Sequence, residues 1–393
     1  MDHEKSLIAI RSCDDYEECE RVIFDILDSL GAQMLFAGKK VLIKVNLMLG
    51  APPDLGTNTH PAVAAALVRY VRTQGGEADV GDSSGALGLT DACFHRSGIA
   101  QAVEQAKGRW INFDAEPQRV VELNGKILQR IVLPACLDDY DVIVSAPKLK
   151  VHPLMGMTGA VKNMMGIAPG AVKPWIHHRH ARTLDRLAHA LLDLFAAYKP
   201  ALSLMDGILC REAGGSTAGR TVKADLLAAS TDSIALDAAC SDIIGLSRAS
   251  VPILSLGGER GLGSADPDQW EVIGDGPRDF GSVPLAPAPL DKKANPVIGF
   301  IAYFLRDHAV RPVFPYSDCE DCDLCVQACP TDALSIKNGR VHRSRLNCCG
   351  CYRCVYACDK HKAMLKVAAY ARKAFWKKAA GLETDLFIDA PKG

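Results

Sequence analysis

Two rhythms of apolar and polar residues alternate along the first two thirds of the chain. Short apolar runs bounded by turn residues read as buried strands. Longer stretches with a 3.6-residue repeat read as amphipathic helices. Residues 41–46 (VLIKVN) form one such run, and residues 77–80 form a shorter one that enters Gly81-Asp82-Ser83-Ser84-Gly85. Residues 141–145, 201–205 and 225–229 are further strands, the second of them expected to end in Asp206-Gly207. Between them, residues 62–74 read as a helix with Pro61 at its first turn and Gly75-Gly76 after its last. Residues 183–198 carry Leu184, Leu187, Leu191, Leu194 and Phe195 on one stripe, and residues 233–244 form a further helix. Strands alternating with helices predict an α/β domain with a largely parallel sheet.

The texture then changes. Residues 274–295 are rich in Pro, Gly and Ala and read as a linker, and residues 296–311 as a docking helix. Residues 312–315 lead into a cysteine-rich stretch expected to be a small α+β, bacterial-ferredoxin-like domain. Residues 360–378 carry Lys360, Lys362, Lys366, Arg372, Lys373, Lys377 and Lys378 with no acid among them, and read as a basic helix. The expected division is therefore 1–275, 276–311, 312–362 and 363–393.

Composition narrows the function classes. A chain of 393 residues exceeds one ordinary core, and 48% hydrophobic content is that of a globular protein. A formal net charge of -1 supplies no basic field for nucleic acid. The start has no charged-then-apolar targeting pattern, and the longest apolar run, 296–305, stops at Arg306-Asp307. That is short of the roughly 20 residues needed to span a bilayer, so a cytoplasmic protein is expected. The basic tail reads as a solvated face. Its sharper alternative is a docking surface for an acidic partner or for peripheral contact with an anionic membrane. Cys13, Cys19, Cys93, Cys136, Cys210 and Cys240 are scattered and read as small buried hydrophobes.

The remaining cysteines carry the chemistry. Cys319, Cys322, Cys325 and Cys329 repeat the spacing of Cys348, Cys351, Cys354 and Cys358, and Pro330 follows the first run where Asp359 follows the second. This is the run of a two-cluster ferredoxin, in which the fourth thiolate of each run serves the other cluster. The expected cofactors are two [4Fe–4S] clusters. Cys319, Cys322, Cys325 and Cys358 would hold one, and Cys329, Cys348, Cys351 and Cys354 the other. Gly350 suits a loop that turns its N–H groups toward sulfur. Structural zinc would need four ligands per metal, not two interleaved runs. Cys349 fits neither run and reads as a loop residue or a spare ligand.

Polar residues gather where the strands of the first domain end: Lys44 and Asn46, then Asp82, Ser83 and Ser84, then Ser145 and Lys148, then Asp206 and Glu212, then Thr231 and Asp232. Ligands of open α/β sheets bind in the crevice beyond such ends. Residues 147–166 mix glycines with Lys148, Lys150 and Lys162, and residues 158–163 could open a helix whose N-terminus faces an anion. The candidate anion-binding set is therefore Lys44, Asn46, Lys148, Lys150, Lys162, Asn163, Asp206 and Glu212, with His152 or Asp82 as proton donor. His177-His178-Arg179-His180 suggests substrate binding or polar surface more than a metal site. Residues 214–219 form a flexible loop after Glu212.

Several motifs taken together resemble one family. They are Lys44-Val45-Asn46, Thr57-Asn58-Thr59-His60-Pro61, Gly81-Asp82-Ser83, Ser145 with Lys148, Lys150 and His152, Gly159 with Lys162-Asn163 and Gly166, Met205-Asp206-Gly207 with Glu212, and Leu236-Asp237-Ala238. The chain resembles the DUF362 proteins that carry a C-terminal ferredoxin module, with Gly215-Ser216 where relatives often have Gly-Pro. The resemblance implies an α/β domain joined to iron–sulfur clusters and supplies no reaction.

Three functions compete. An oxidoreductase would take electrons from a donor protein (a ferredoxin, flavodoxin or reductase) and deliver them to an anionic small molecule in the crevice. An electron-transfer or assembly protein would only relay them to a partner enzyme. A redox-sensing regulator is the weakest, because nothing reads as a DNA-binding helix pair.

Overall fold

The computed structural model describes residues 5–85, 89–180, 183–212, 219–276, 279–280, 283, 285, 310–315, 319, 322–345, 347–358, 363–367 and 387–388. Its first domain is built on strands β1 (Ser6–Ser12), β2 (Lys40–Val45), β3 (Glu77–Asp82), β4 (Arg109–Asn112), β5 (Gln118–Glu122), β6 (Arg130–Pro134), β7 (Val142–Ala146), β8 (Lys148–His152), β9 (Gly156–Thr158), β10 (Leu202–Arg211), β11 (Thr221–Ser230) and β12 (Trp270–Gly274). The helices are α1 (Cys19–Ser29), α2 (Pro61–Thr73), α3 (Thr90–Arg96), α4 (Ile99–Gln105), α5 (Ala160–Asn163), α6 (Val172–His180), α7 (Leu184–Ala197), α8 (Ser233–Ile243) and α9 (Pro252–Glu259).

The main sheet runs β12-β1-β11-β10-β7-β2-β3-β4, with β8 on β10 and β9 on β8. From β10 through β7, β2, β3 and β4 every neighbour is parallel, while β11 pairs antiparallel with both β1 and β10. A sheet of this kind is covered on both faces. Alternate residues accordingly enter two cores: Ile8, Ile10, Leu42 and Met205 face one, and Ala9, Val41, Ile43 and Leu204 the other. Helices α1, α2 and α4 cover the second face, and α5 to α9 the first.

Local rules set the helix starts. Pro61 opens α2, where a missing N–H costs nothing, and His60 caps it by accepting from Ala62 N. The Thr183 hydroxyl accepts from Arg186 N at the start of α7, and Asp232 accepts from Ile234 and Ala235 N at the start of α8.

Two expectations about elements are corrected. Strand β10 does not stop at Asp206-Gly207. It continues to Arg211 through a register shift between Gly207 and Leu209, because β11 pairs with it along that whole length. Residues 364–367, assigned to a basic helix, instead form a strand, β16 (Met364–Val367), antiparallel to β13 (Val310–Val313). Leu365 is buried there between the half-exposed Met364 and Lys366, a period-two pattern. The rest of the basic tail, most of the linker and docking helix, Asp359, and the loop at Gly215-Ser216 lie outside the described residues. Among the described residues, no helix is long and apolar enough to cross a membrane.

Candidate functional site

The site begins where β7 gives way to β8. Strand β7 pairs with β2 as far as Val45 and Ala146. Beyond Pro147 the chain continues as β8, which lies on β10 with Lys148 opposite Asp206 and Lys150 opposite Arg211. The two strands part beyond Pro147, at the carboxyl ends of β2, β3 and β7, the position at which α/β sheets form a ligand crevice. Residues 147–166 are therefore not a glycine-rich loop. They form a β8–β9 hairpin followed by the short α5. The period of two puts Lys148, Lys150 and His152 on one face of β8. Thr158 stands opposite Lys150 in the hairpin register.

Two of the lysines are closed off by carboxylates. Lys148, fully buried, lies 2.8 Å from Asp206 Oδ1 and donates to Tyr16 Oη at 2.6 Å. Tyr16 donates to Asp206 Oδ1 at 2.9 Å, and His60 N donates to Oδ2 at 2.9 Å. The Tyr16 ring stacks on His60 at 3.5 Å between centroids. Burial pushes the Tyr16 phenol up and His60 down to about 4. Lys44, also fully buried, lies 3.1 Å from Asp82 Oδ2 and donates to Val45 O at 2.6 Å. Burial lowers Lys44 and raises Asp82 to about 6, against the pull of Lys44 and Lys173. Gly166 crosses so close that a Cβ there would collide with Asp82 Oδ1 and Lys44 Nζ.

Two others have no carboxylate partner among the described residues. Lys150 Nζ donates to Asn46 Oδ1 at 2.6 Å and Thr57 O at 2.8 Å, both neutral acceptors. Asn46 Nδ2 reaches Asn163 Oδ1 at 3.2 Å, and Asn163 Nδ2 donates to Lys44 O at 2.9 Å, which fixes the floor of the crevice. The half-buried Lys162 side chain has no hydrogen-bond or ion-pair partner among the described residues. Burial, then repulsion from Lys162 and Lys148, lowers Lys150 to about 7. Burial and Lys44 lower Lys162 to about 8. His152 Nδ1 accepts from Leu154 N and Met155 N at 3.2 Å each, so its proton sits on Nε2. Burial, Lys162, His177 and Lys150 hold its pKa well below the ordinary range. His177 stacks against it at 6.1 Å and is lowered to about 4, mainly by burial.

The sequence expectation for the start of α5 needs correction. The N–H groups of Ala160 and Val161 already have an anion, the Asp237 carboxylate, at 2.6 and 3.1 Å. Burial raises Asp237 to about 7 against those two bonds. Glu212 pairs with Arg220 at 2.5 Å, outside the crevice set. His177 and His180 do not converge: His177 faces His152, while His180 lies edge-on to Trp175 at 5.7 Å. Sequence reasoning missed Tyr16, Lys173 and Asp114, and placed Thr158 at a helix start where the structure has it in the hairpin. Tyr16 and Lys173 reach the site from outside the strand ends.

The cysteine module adds β14 (Leu334–Lys337), β15 (Arg340–Arg343) and β17 (Phe387–Ile388), with short helices α10 (Leu324–Gln327) and α11 (Arg353–Tyr356). Cys325 lies within electrostatic reach of Cys358, Cys319 and Cys322, and Cys354 of Cys348, Cys329 and Cys325. Cys329, Cys348, Cys351 and Cys354 line one cavity together with Cys349. Among the described residues no three His, Cys, Asp or Glu side chains converge as around a single ion. A cube offers a separate iron to each thiolate, so thiols ringing a space suit it. Backbone N–H groups approach sulfur in the same way in both halves: Ala333 N lies 3.2 Å from Cys329 Sγ, and Ala363 N lies 3.3 Å from Cys358 Sγ. Gly350 and Tyr352 take left-handed conformations, φ 76° and 65°, to turn the loop around Cys351. The residues fit iron–sulfur ligation.

The second cysteine loop docks on the first domain at the crevice. Ala171 N donates to Gly350 O at 2.9 Å, and Arg353 donates to Ala115 O. Gly170 N donates to Asp114 Oδ1 at 2.7 Å, and Lys173 Nζ donates to Ser83 Oγ, to Ser83 O at 2.8 Å and to Ala168 O at 3.1 Å. A Cβ on Gly170 would strike Gly350 O and the Tyr352 ring, so only glycine permits this approach. Residues 168–173 thus touch the cysteine loop on one side and Ser83, next to Asp82, on the other.

Residues 41–242 match the model of a domain of unknown function, DUF362, and residues 303–372 match a 4Fe-4S dicluster domain. The chain is 33% identical over 247 residues to the thylakoid-associated protein sll1697 of Synechocystis sp., an alignment covering 60% of this chain and 73% of that one. Among solved structures, the lactate racemase apoprotein from Thermoanaerobacterium thermosaccharolyticum aligns with a TM-score of 0.41 and 11% identity, covering 61% of this chain and 57% of that chain.

Proposed function

The chain belongs to the DUF362 family and carries a 4Fe-4S domain, and from that premise we propose that it is an iron–sulfur redox protein serving an anionic substrate or cofactor held in the α/β crevice. Two [4Fe–4S] clusters, when bound, supply one-electron chemistry at low potential. Cys319, Cys322, Cys325 and Cys358 would hold one of them, and Cys329, Cys348, Cys351 and Cys354 the other. The observation that carries this reading is the docking of the second cysteine loop on residues 168–173, which also reach Ser83 beside the crevice. Electron delivery needs that proximity, and a simple tether would not.

Within the crevice, Lys150 and Lys162 attract the anion, having no carboxylate partner among the described residues. Lys44 and Lys148 have theirs, and their task is to hold β2, β8 and β10 in place. Asn46 and Asn163 orient Lys150. Of the two proton donors the sequence offered, His152 is a neutral imidazole whose Nε2–H is available to donate a hydrogen bond to a ligand, and Asp82 is enclosed with Lys44. An ammonium at Lys162 Nζ, with its proton loosely held near neutral pH, is the better acid.

Protein purified without oxygen is expected to carry about eight irons per chain, as two cubes require. After reduction, a small anionic metabolite should reoxidise it. Lys150→Met and Lys162→Met should abolish that reaction at unchanged iron content. Reoxidation only by another protein, indifferent to both substitutions, would establish the relay alternative instead.

A further inference from the structure

The crevice holds an uneven charge count. Lys44 and Lys148 each face one carboxylate, and Lys173 is held by Ser83 and the Ala168 carbonyl near Asp114 and Asp82. Among the described residues Lys150 hydrogen-bonds only to neutral acceptors and Lys162 to none, and they lie within electrostatic reach of one another. Two uncompensated ammonium groups side by side are costly unless something negative comes between them.

The neighbouring donors are also unspent. Thr158 Oγ1 is buried and has no hydrogen-bond partner among the described residues, although it stands across the hairpin from Lys150. A buried hydroxyl left unmade costs free energy, and a ligand oxygen would recover it. His152 offers Nε2–H, because the backbone occupies Nδ1. Donors are therefore in excess and acceptors scarce, with two full charges among them.

We propose that the ligand of this crevice is a phosphate monoester, its dianionic group bound by Lys150, Lys162, Thr158 and His152. This deepens the reading that the crevice holds an anion and rests on it. A tetrahedral dianion presents three free oxygens to separate donors and neutralises both lysines. A monocarboxylate leaves one lysine uncompensated, and a planar dicarboxylate spreads its charge over two centres.

Protonation follows from the same arrangement. Lys150 is faced by Lys162, Lys148, Lys44 and Asp82, and Lys162 by Lys44, Lys150, His152 and His177. With Lys150 lowered to about 7 and Lys162 to about 8, both are partly deprotonated at pH 8. Binding a dianion restores their protons, so the complex takes up protons at pH 8; at pH 6 both lysines are already charged, and the monoester, with its second pKa of about 6, gives up a proton on binding instead.

The test is isothermal titration of the oxidised, cluster-loaded full chain with methyl phosphate, malonate and acetate, in two buffers of different ionisation enthalpy. Methyl phosphate is expected to bind at least about tenfold more tightly than either carboxylate, the worth of one charge-assisted hydrogen bond. Proton uptake should be seen at pH 8. Lys150→Met and Thr158→Val should each weaken it while leaving thermal unfolding cooperative. Equal affinity for malonate or acetate, or methyl phosphate binding unchanged in both variants, overturns the assignment. No cluster is reduced in this titration. A positive result with no reoxidation by any phosphorylated compound would therefore defeat electron delivery alone, and reoxidation by a non-phosphorylated anion with no methyl phosphate binding would defeat the ligand assignment alone.

Discussion

Lys148 and Lys150 stand two residues apart on one face of one strand, and their surroundings are opposite. Lys148 is closed in by Asp206 and Tyr16, with every polar atom of the group engaged. Lys150 is also buried but hydrogen-bonds only to an amide and a peptide carbonyl among the described residues. The first arrangement is what a buried ion pair needs in order to survive in the folded state. The second is a charge held ready for something absent from the chain. The difference teaches that a cluster of buried lysines is not one site: part of it is structural fastening, and the remainder is binding capacity.

The largest effect should come from breaking the fastening. Asp206→Ala leaves the Lys148 ammonium buried without a counter-charge and is expected to cost about 3–5 kcal/mol in chemical denaturation at pH 7. A loss below about 1 kcal/mol would remove the distinction between the two lysines.

Lys150→Met should act with the opposite sign. The folded-state pKa of Lys150, about 7, lies below the unfolded value of about 10.4. Between those values the unfolded chain binds the extra proton, so Lys150 makes stability rise with pH by up to about 1.4 kcal/mol per unit. The penalty is complete below pH 7 and relieved by about pH 10. The variant should therefore be more stable than the parent at pH 6, with the gap closing toward pH 10. A parallel pH dependence in the two proteins would place Lys150 in solvent.

Gly166→Ala sharpens the comparison from the other pair. Its methyl group would meet Asp82 and Lys44 directly, and forced repacking is expected to cost about 1–3 kcal/mol. Thermal melts of the iron-loaded protein would measure it. Thr158→Val is the smallest change. Removing a buried hydroxyl without a partner should leave stability within about 1 kcal/mol of the parent, on the stabilising side. A clear loss would mean that the hydroxyl already has a protein partner.

How much of this could be read in the chain follows from where each partner lies. The cysteine module was legible because ligand spacing is local: three thiolates come from one short loop, and the fourth repeats at a fixed interval. The strands that flank the crevice were legible as apolar runs, and so was the gathering of polar residues at their ends. The two environments of Lys148 and Lys150 were not, since Tyr16, Asp206, Asn46 and Thr57 come from four distant segments. The hairpin at residues 148–158 was hidden by Pro147, Pro153 and Gly156, which read as loop, although β10 offers that stretch an edge to pair with. Asp237 could be singled out as a motif residue, yet its task of holding the first N–H groups of α5 depends on a helix far along the chain. The strand at residues 364–367 was masked by lysines that suit a basic helix equally well.

The central claim is that crevice and clusters form one functional unit. It is tested most directly by the EPR spectrum of the dithionite-reduced, iron-loaded protein with and without methyl phosphate, in the parent and in Lys150→Met. The account predicts a ligand-dependent change in the signal of one cluster in the parent and none in the variant. Identical spectra under all four conditions, with methyl phosphate shown to be bound, would contradict it.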